Sequence, residues 1–176
     1  MNTYIALLRG INVGGSGRLP MKELVEHLES QGCRSVRTYI QSGNAVFEHA
    51  AAAPVLTRQI RAALGAALGF EPALLLMTPK QLTRAASRNP FPEGEQDPAK
   101  LHLYFLAARP KQPDLDRLQG IAKANERFAL EEDVLYLHAP DGIGRSKLAA
   151  NVERVLGVSG TGRNWRTVQK LLDLTQ

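Results

Sequence analysis

The sequence predicts a mixed α+β fold of two ferredoxin-like subdomains in tandem, the second less complete and ending in a C-terminal helix. Apolar runs of strand length alternate with amphipathic segments of helix length, which is typical of mixed folds and argues against an all-α bundle. The first half has the order strand, helix, strand, strand, helix, strand, and the second half begins the same order again. The predicted domains are residues 1–88 and 101–176, with a linker at 89–100.

Each element of the first half has its own local signal. An apolar run at 4–8 predicts a strand, and residues 20–31 combine an early proline with one apolar face, which predicts a helix. Residues 36–40 and 45–47 are interpreted as a hairpin that turns at 42–44.

The first half continues with a helix at 54–68, a strand at 73–77 and a short helix that ends near residue 87. Gly69 stands where a helix commonly ends, because glycine adopts the left-handed conformation at low cost. Thr78 and Gln81 have the spacing of a capping box, in which each side chain bonds the other residue's backbone N–H.

The linker at 89–100 contains three prolines and three acidic residues without periodicity, which favours an irregular connection. After it we expect a strand at 101–107, a helix at 113–124, a hairpin of 128–131 with 134–139, and a helix at 146–156. No last strand is evident in this second copy. A final helix at 164–174 is predicted in its place.

The composition restricts the class of protein. With 176 residues, 44% of them apolar and 22% charged, the chain resembles a globular protein that buries a core. The start has no basic segment and only a short apolar run before Arg9, so we predict neither a signal peptide nor a membrane partner. Cys33 is the single cysteine, which excludes an intrachain disulfide and favours a reducing, cytoplasmic location.

The net charge of +5 is unevenly distributed along the chain. Residues 1–90, 91–142 and 143–176 have local balances of +5, −4 and +4. Two basic segments around an acidic middle favour an anionic ligand such as phosphate or nucleic acid if they meet in the fold. The alternative is solvated surface charge.

A glycine-rich loop at 9–18 joins the first strand to the first helix. Arg9 and Arg18 flank it, and Asn12, Gly14 and Gly15 lie inside it. Backbone N–H groups between a strand and a helix can surround a phosphate group. The loop matches neither the P-loop pattern nor G-x-G-x-x-G, so a flexible connection is the competing interpretation.

Two later segments place cations at predicted helix starts, where the helix dipole normally favours acidic residues. The segments are residues 142–147 and 160–166, and their polar residues are Arg145, Lys147, Arg163, Asn164 and Arg166. This departure from a local rule is expected where an anion binds. Exposure to solvent is the alternative explanation.

The turn at 41–44 contributes Gln41, Ser42 and Asn44, which are able to hydrogen-bond a ligand or merely to form the turn. Ser42 lacks a G-x-S-x-G elbow, so the sequence gives little support for a nucleophile. The four histidines do not pair at metal-ligand spacing. We therefore predict no metal site and no cofactor.

The chain closely resembles the bacterial family named domain of unknown function 1697. The resemblance is carried by YIALLRGINVGG at 4–15, TYIQSGNAVF at 38–47 and TGRNWRTVQKLLDL at 161–174, with GIGRSKL at 142–148 as a weaker match. It implies an α+β protein of two related subdomains and no known activity. The residues that it implies as the family signature are Arg9, Asn12, Gly14, Gly15, Gln41, Ser42, Asn44, Arg163, Asn164 and Trp165.

Three functions remain open on the sequence. The favoured one is an anion-binding module for a nucleotide, nucleic-acid backbone or phosphorylated metabolite, formed where the 9–18 loop meets 142–148 and 161–166. The others are an enzyme with a polar cleft between the subdomains and a protein-interaction or oligomerising module. The predicted ligand-binding residues are Arg9, Asn12, Gly14, Gly15, Arg18, Gln41, Ser42, Asn44, Arg145, Lys147, Arg163, Asn164 and Arg166.

Overall fold

A computed structural model describes residues 1–15 and 17–176 of the chain. Two compact units are present: unit one is Met1–Arg84 with Gln169–Gln176, and unit two is Ala85–Val168. Each contains a four-stranded antiparallel sheet, so the predicted mixed α+β class is confirmed. The domain limits derived from the sequence, 1–88 and 101–176, stay a prediction.

Unit one has its sheet strands in the order β2-β3-β1-β4. Its elements are β1 (Asn2–Arg9), α1 (Met21–Ser30), β2 (Arg34–Tyr39), β3 (Asn44–His49), α2 (Ala53–Leu68) and β4 (Ala73–Met77), followed by α3 (Pro79–Ser87). The central strand β1 pairs antiparallel with both neighbours, and Ile5 lies opposite Val46 on one side and Met77 on the other.

The core of unit one follows from two periodicities. Alternate residues of β1, namely Tyr4, Ala6 and Leu8, point to one face of the sheet. Leu24 and Leu28 of α1, and Leu56, Ile60 and Leu64 of α2, recur every fourth residue and pack into the same buried cluster. The apolar face predicted for the helix at 20–31 is therefore confirmed, and α2 has a similar one.

The helix boundaries in unit one also match their local signals. Gly69 ends α2 with a left-handed φ of 78° and donates its N–H to the Gly65 carbonyl. The capping box is present: Thr78 N donates to Gln81 Oε1 at 2.8 Å, and Gln81 N donates to Thr78 Oγ1 at 3.3 Å.

Unit two has its strands in the order β6-β7-β5-β8. Its elements are β5 (Leu101–Leu106), α4 (Leu115–Ile121), β6 (Arg127–Glu131), β7 (Val134–His138), α5 (Lys147–Leu156) and β8 (Gly160–Asn164). The last helix, α6 (Trp165–Leu174), begins in unit two and ends in unit one. Two 3-10 helices, Pro92–Gln96 and Ile143–Arg145, lie in the connections. Leu118 of α4 and Leu148, Val152 and Leu156 of α5 pack with Leu135 and Leu137 of the sheet.

The expectation that unit two is less complete was wrong. Residues 160–164 form β8, which pairs with β5 from Gly160 opposite Leu106 to Asn164 opposite His102. The strand escaped the sequence analysis because glycine has a weak strand propensity. Packing leaves little room for a side chain at these positions: a Cβ on Gly160 would lie 2.9 Å from Leu106 Cδ2, and one on Gly162 would lie 3.0 Å from the Tyr104 ring.

In the described part of the chain, no helix has both the length and the apolar character needed to cross a membrane.

Candidate functional site

The glycine-rich loop and the β2–β3 turn lie side by side at one end of the unit-one sheet. The loop leaves β1 after Arg9, and the turn occupies residues 40–43. Leu8 N donates to the Gly43 carbonyl oxygen at 2.8 Å, which ties the end of β1 to the turn. The predicted segments 9–18 and 41–44 are thus brought together, except that Ser16 lies outside the described residues.

Asn12 holds these two segments together. Its Nδ2 donates to the Leu19 and Gln41 carbonyl oxygens, each at 2.8 Å, while its Oδ1 accepts from Leu19 N at 2.8 Å. Its backbone N–H donates to the Gly17 carbonyl at 2.9 Å, across the loop. Asn12 therefore shapes the loop, and both of its side-chain N–H groups are committed to protein carbonyls.

Asn44 stabilises the turn through hydrogen bonds of its side-chain amide. It is fully buried, and its Nδ2 donates to the Tyr39 carbonyl at 2.9 Å and to Ser42 Oγ at 3.0 Å. An amide N–H cannot accept the Ser42 proton, so this contact does not activate the hydroxyl as a nucleophile. Gln41 and Ser42 are exposed, and they are the predicted turn residues that face solvent.

Gly43 sits against the end of β1 so closely that a side chain has no room. A Cβ there would lie 2.7 Å from Ile11 Cδ1 and 2.8 Å from Leu8 Cβ. Its φ of +87° is also a conformation that glycine adopts readily. The close approach fixes the distance between turn and loop.

The loop presents glycine backbone to solvent. Gly10, Gly14 and Gly15 are exposed, have φ values of 81°, 60° and 78°, and have no described atom within 4 Å of where a Cβ would stand. Concavities formed by successive backbone N–H groups in such turns bind anions. The exposed Arg9 and Arg18 flank this surface.

Three exposed apolar side chains belong to the loop, to the β2–β3 turn and to the segment before β4. Val13 is 65% exposed, Ile40 is 50% exposed and Phe70 is 38% exposed. The Phe70 ring lies against the loop, since a Cβ on Gly17 would fall 2.9 Å from Phe70 Cζ. The sequence analysis missed Ile40 and Phe70 as site residues. Their signals were an apolar residue directly before QSGN and an aromatic residue directly after the helix stop at Gly69.

Ile40 also departs from the expected backbone. The sequence analysis placed it in the strand at 36–40, but β2 ends at Tyr39 and Ile40 has a φ of 49°. A β-branched residue in the left-handed region is a genuine conformational outlier, because its Cβ substituents crowd the backbone.

In unit two, the cations at the start of α5 are placed as the sequence predicted. Ser146 caps the helix by accepting a hydrogen bond from Ala149 N at 3.0 Å. Lys147 is the first helical residue, Arg145 ends the preceding 3-10 helix, and both are exposed.

The placement of Arg163 in a helix start was wrong. Arg163 lies within β8, is only 8% exposed and donates Nη1–H to the Gly162 carbonyl at 2.9 Å. Burial removes water from the guanidinium and lowers the pKa of Arg163 to about 10. Asn164 instead caps α6 by accepting from Thr167 N at 3.0 Å, and the exposed Arg166 follows in the first turn.

Both basic segments of unit two lie at the end of its sheet where β5 begins. Ala139 N donates to the Lys100 carbonyl at 2.9 Å, and Trp165 N donates to the Pro98 carbonyl at 3.2 Å. The third predicted segment, 9–18, belongs to unit one. A meeting of all three segments at one ligand stays a prediction.

Two buried polar atoms of unit two have no hydrogen-bond partner among the described residues: His102 Nδ1 and Trp165 Nε1. Burial lowers the pKa of His102 to about 4, against the opposing effect of its hydrogen bond with the Lys100 backbone. Among residues 1–15 and 17–176, no three histidine, cysteine, aspartate or glutamate side chains are grouped so as to hold a metal ion.

The fold and the loop define an α+β protein of two sheet-and-helix units with a solvent-facing, glycine-rich loop in the first. The chain belongs to the family described as protein of unknown function (DUF1697), whose model matches residues 1–136. This confirms the resemblance seen in the sequence motifs.

A solved structure, that of the conserved bacterial protein SP0830 from Streptococcus pneumoniae, has a similar fold. Its TM-score to this chain is 0.76 at 20% sequence identity, over 99% of this chain and 98% of that one. At that identity the likeness concerns the fold alone. No curated protein matches the chain.

Proposed function

We propose that the protein is an anion-binding module and that the glycine-rich loop of unit one binds the phosphate group of its ligand. The observation that carries the proposal is that three glycines of the loop, Gly10, Gly14 and Gly15, are exposed and left-handed, with open space where a Cβ would stand. Such a backbone presents N–H groups without side chains in the way, which suits a phosphate oxygen.

Charge near the loop supports the same ligand class. Arg9 and Arg18 are exposed at its two ends, and a guanidinium group can form charge-assisted hydrogen bonds with phosphate. The loop also leads into α1, whose N-cap residue Pro20 makes no side-chain capping bond. The positive end of the α1 dipole adds to the attraction of an anion at this position.

The hydrogen bonds of Asn12 support the proposal further. Asn12 fixes the loop to Leu19 and to Gln41 with three side-chain hydrogen bonds. A loop that is ordered before binding loses less conformational entropy when a ligand arrives. We infer that Asn12 and Asn44 position the site, whereas Arg9, Arg18, Gln41 and Ser42 face the ligand.

The test is calorimetric titration with inorganic pyrophosphate at 25 mM and 200 mM salt, using wild type and Arg9→Ala. We expect binding that weakens with salt and falls about tenfold in the variant, since a charge-assisted hydrogen bond to an anion is lost. The control is Arg58→Ala, which removes the same charge from the exposed surface of α2. Equal binding by all three proteins at both salt concentrations contradicts the proposal.

A double-mutant cycle tests whether unit two contributes to the same site. Arg145 and Lys147 are exposed at the start of α5, so both can be replaced without disturbing a core. If the basic segments meet at one ligand, Arg9→Ala and Arg145→Ala will have non-additive effects on pyrophosphate affinity. Additive effects would place the anion on the unit-one loop alone.

We also propose that each unit has a ferredoxin-like fold. The support is the shared element order βαββαβ together with the shared strand orders, β2-β3-β1-β4 and β6-β7-β5-β8. In both units the first strand is central and pairs antiparallel with the third and fourth strands. An experimental structure superposed on ferredoxin-like domains, unit by unit, tests this assignment.

A further inference from the structure

We propose that β4 of unit one pairs with β4 of a second copy of this chain, antiparallel and about a two-fold axis at Leu75. The strand order β2-β3-β1-β4 gives β4 a neighbouring strand on one side only. Within residues 1–15 and 17–176, no backbone hydrogen bond reaches the other side of β4, which we name the β4 edge. Backbone N–H and C=O groups on such an edge can pair with a strand of another chain.

The β4 edge lacks the features that usually prevent pairing between chains. Proteins protect an exposed edge with charged side chains, proline or a β-bulge. The five residues Ala73–Met77 have the sequence ALLLM, without a charge or a proline, and their register with β1 is uninterrupted. Ala73 is exposed and the three leucines are partly exposed, so water reaches this strand. An apolar strand at an accessible edge is a site of association.

The other three sheet edges of the described chain differ from β4. On β2, Arg34 and Arg37 are exposed, and the register with β3 shifts between them. On β6, the exposed Arg127 and Glu131 stand at the two ends of the strand. β8 contains two glycines, which weaken a strand. The contrast singles out β4 as the edge that is open to pairing with another chain.

Charge favours a second copy as the partner. In antiparallel pairing about Leu75, each residue lies opposite the one at equal distance beyond the axis, so Glu71 approaches the start of α3 in the second copy. The first turn of α3 has no acidic residue, and Lys80 within it is exposed. A carboxylate is favourable both near a helix N-terminus and beside a lysine. The two-fold axis forms this contact twice.

Glu71 is able to make this contact at little cost. Its ion pair with Arg61 of the same chain measures 3.0 Å, and the two side chains are 53% and 45% exposed. Such a pair contributes little to stability, because water screens it. The carboxylate therefore loses no strong bond when it contacts a lysine of a second copy.

The length of β4 predicts a weak dimer. Five residues span about 17 Å, whereas stable interfaces bury about 800 Å² on each chain, more than one short strand supplies. We therefore expect a dissociation constant of roughly 100 µM. An unrelated apolar peptide would form the same backbone hydrogen bonds but would lack the matched charges of Glu71 and Lys80.

The experiment is sedimentation equilibrium at about 10 to 500 µM, with wild type, Glu71→Lys, Lys80→Glu and a mixture of the two variants. Each variant alone brings like charges together twice, so we expect its dissociation constant to rise about fivefold. A mixed dimer has opposite charges at both contacts, so its dissociation constant should stay within about twofold of wild type. The control is Arg37→Glu, which reverses an exposed charge on β2 and should leave dimerisation unchanged.

Amide hydrogen exchange of the wild-type chain tests the strand without a substitution. The outward-facing amides among Leu74, Leu75 and Leu76 should exchange more slowly at about 500 µM than at about 10 µM, because pairing protects them. The amides of β2 should not change.

Three results overturn the inference. They are a chain that stays monomeric over this range, a dimer that neither charge variant weakens, and exchange at β4 that is slow at every concentration. The last would mean that another segment covers the β4 edge. None of these results bears on pyrophosphate binding, so the proposed anion site stands or fails separately.

Discussion

Asn12 donates a 2.8 Å hydrogen bond to the carbonyl oxygen of Gln41, twenty-nine residues further along the chain. The same amide nitrogen donates to Leu19, so one side chain connects the glycine-rich loop, the approach to α1 and the β2–β3 turn. Asn12 has a φ of 54°, which asparagine tolerates better than most residues. Both the side-chain hydrogen bonds and the left-handed backbone therefore favour asparagine at this position.

Replacing Asn12 should destabilise unit one. Asn12→Ala removes three hydrogen bonds and puts alanine in a left-handed conformation, so we expect a loss of about 2 kcal/mol in the free energy of unfolding. Urea denaturation followed by circular dichroism measures the change. The control, Asn125→Ala at an exposed position of unit two, should change stability by less than about 0.5 kcal/mol. Equal stabilities for the two variants would show that the amide does not hold the loop.

A second prediction concerns the close contact at Gly43. Gly43→Ala combines a left-handed φ with a clash against Ile11 and Leu8, and we expect it to cost about 3 kcal/mol. Gly69→Ala has a similar φ of 78° but open space around the new methyl group, so its cost should be about 1 kcal/mol. Denaturant titration of both variants separates the clash from the backbone strain. A Gly43→Ala variant no less stable than Gly69→Ala would refute the packing argument.

The helices of the first half were predictable from the sequence because their signals are local, whereas the helix predicted at 113–124 is shorter in the structure, at Leu115–Ile121. The four-residue spacing of Leu56, Ile60 and Leu64, the stop at Gly69 and the box formed by Thr78 with Gln81 need no knowledge of distant residues. Each was found where it was expected.

β8 and the burial of Arg163 were not predictable, because they depend on residues that are distant in the sequence. Residues 160–164 form a strand because β5, almost sixty residues earlier, offers a pairing edge on which Gly160 and Gly162 fit against Leu106 and Tyr104. No pattern within GTGRN shows that edge. Without it, the arginine was assigned to the following helix.

The site was predictable only in part. The glycine-rich loop and the QSGN turn stand out in the sequence, but the bond between Asn12 and Gln41 depends on the tertiary fold. Ile40 was placed in a strand because β-branched residues favour strands, and its left-handed φ contradicts that propensity. Ile40 adjoins Gln41 and Ser42 of the proposed anion site, where a departure from local propensity is expected.

The buried His102 should make stability depend on pH. Its pKa in the folded protein is lowered from 6.5 to about 4, so between these values the unfolded chain binds a proton that the folded chain does not. The free energy of unfolding is therefore highest above pH 6.5, and it falls by up to about 3 kcal/mol as the pH decreases toward 4. Thermal or urea unfolding at pH 7.5, 6, 5 and 4 measures this decrease.

His102→Leu should remove much of that pH dependence, because it replaces a titrating group whose Nδ1 has no partner among the described residues. The control is Leu137→Val, at the strand position opposite His102, which should lower stability by a similar amount at every pH. An unchanged decrease between pH 6.5 and 4 in His102→Leu would assign the acid sensitivity to other groups.

Ile40 provides a final prediction, which concerns the backbone strain at an exposed apolar residue. Ile40→Asn places a residue that tolerates φ 49° at a position where isoleucine is strained, and the lost side chain is already half exposed. We expect the free energy of unfolding to rise by about 1 kcal/mol, measured by urea denaturation.

The control, Val55→Asn, exchanges a β-branched residue of similar exposure in α2 and should lower stability slightly, because asparagine is no better a helix former. A stabilised Ile40→Asn variant would mean that the native isoleucine is maintained at the expense of stability, as expected when a side chain is needed for contact with a ligand. A destabilised one would mean that Ile40 contributes to the folded structure itself, and its exposure would then carry no functional implication.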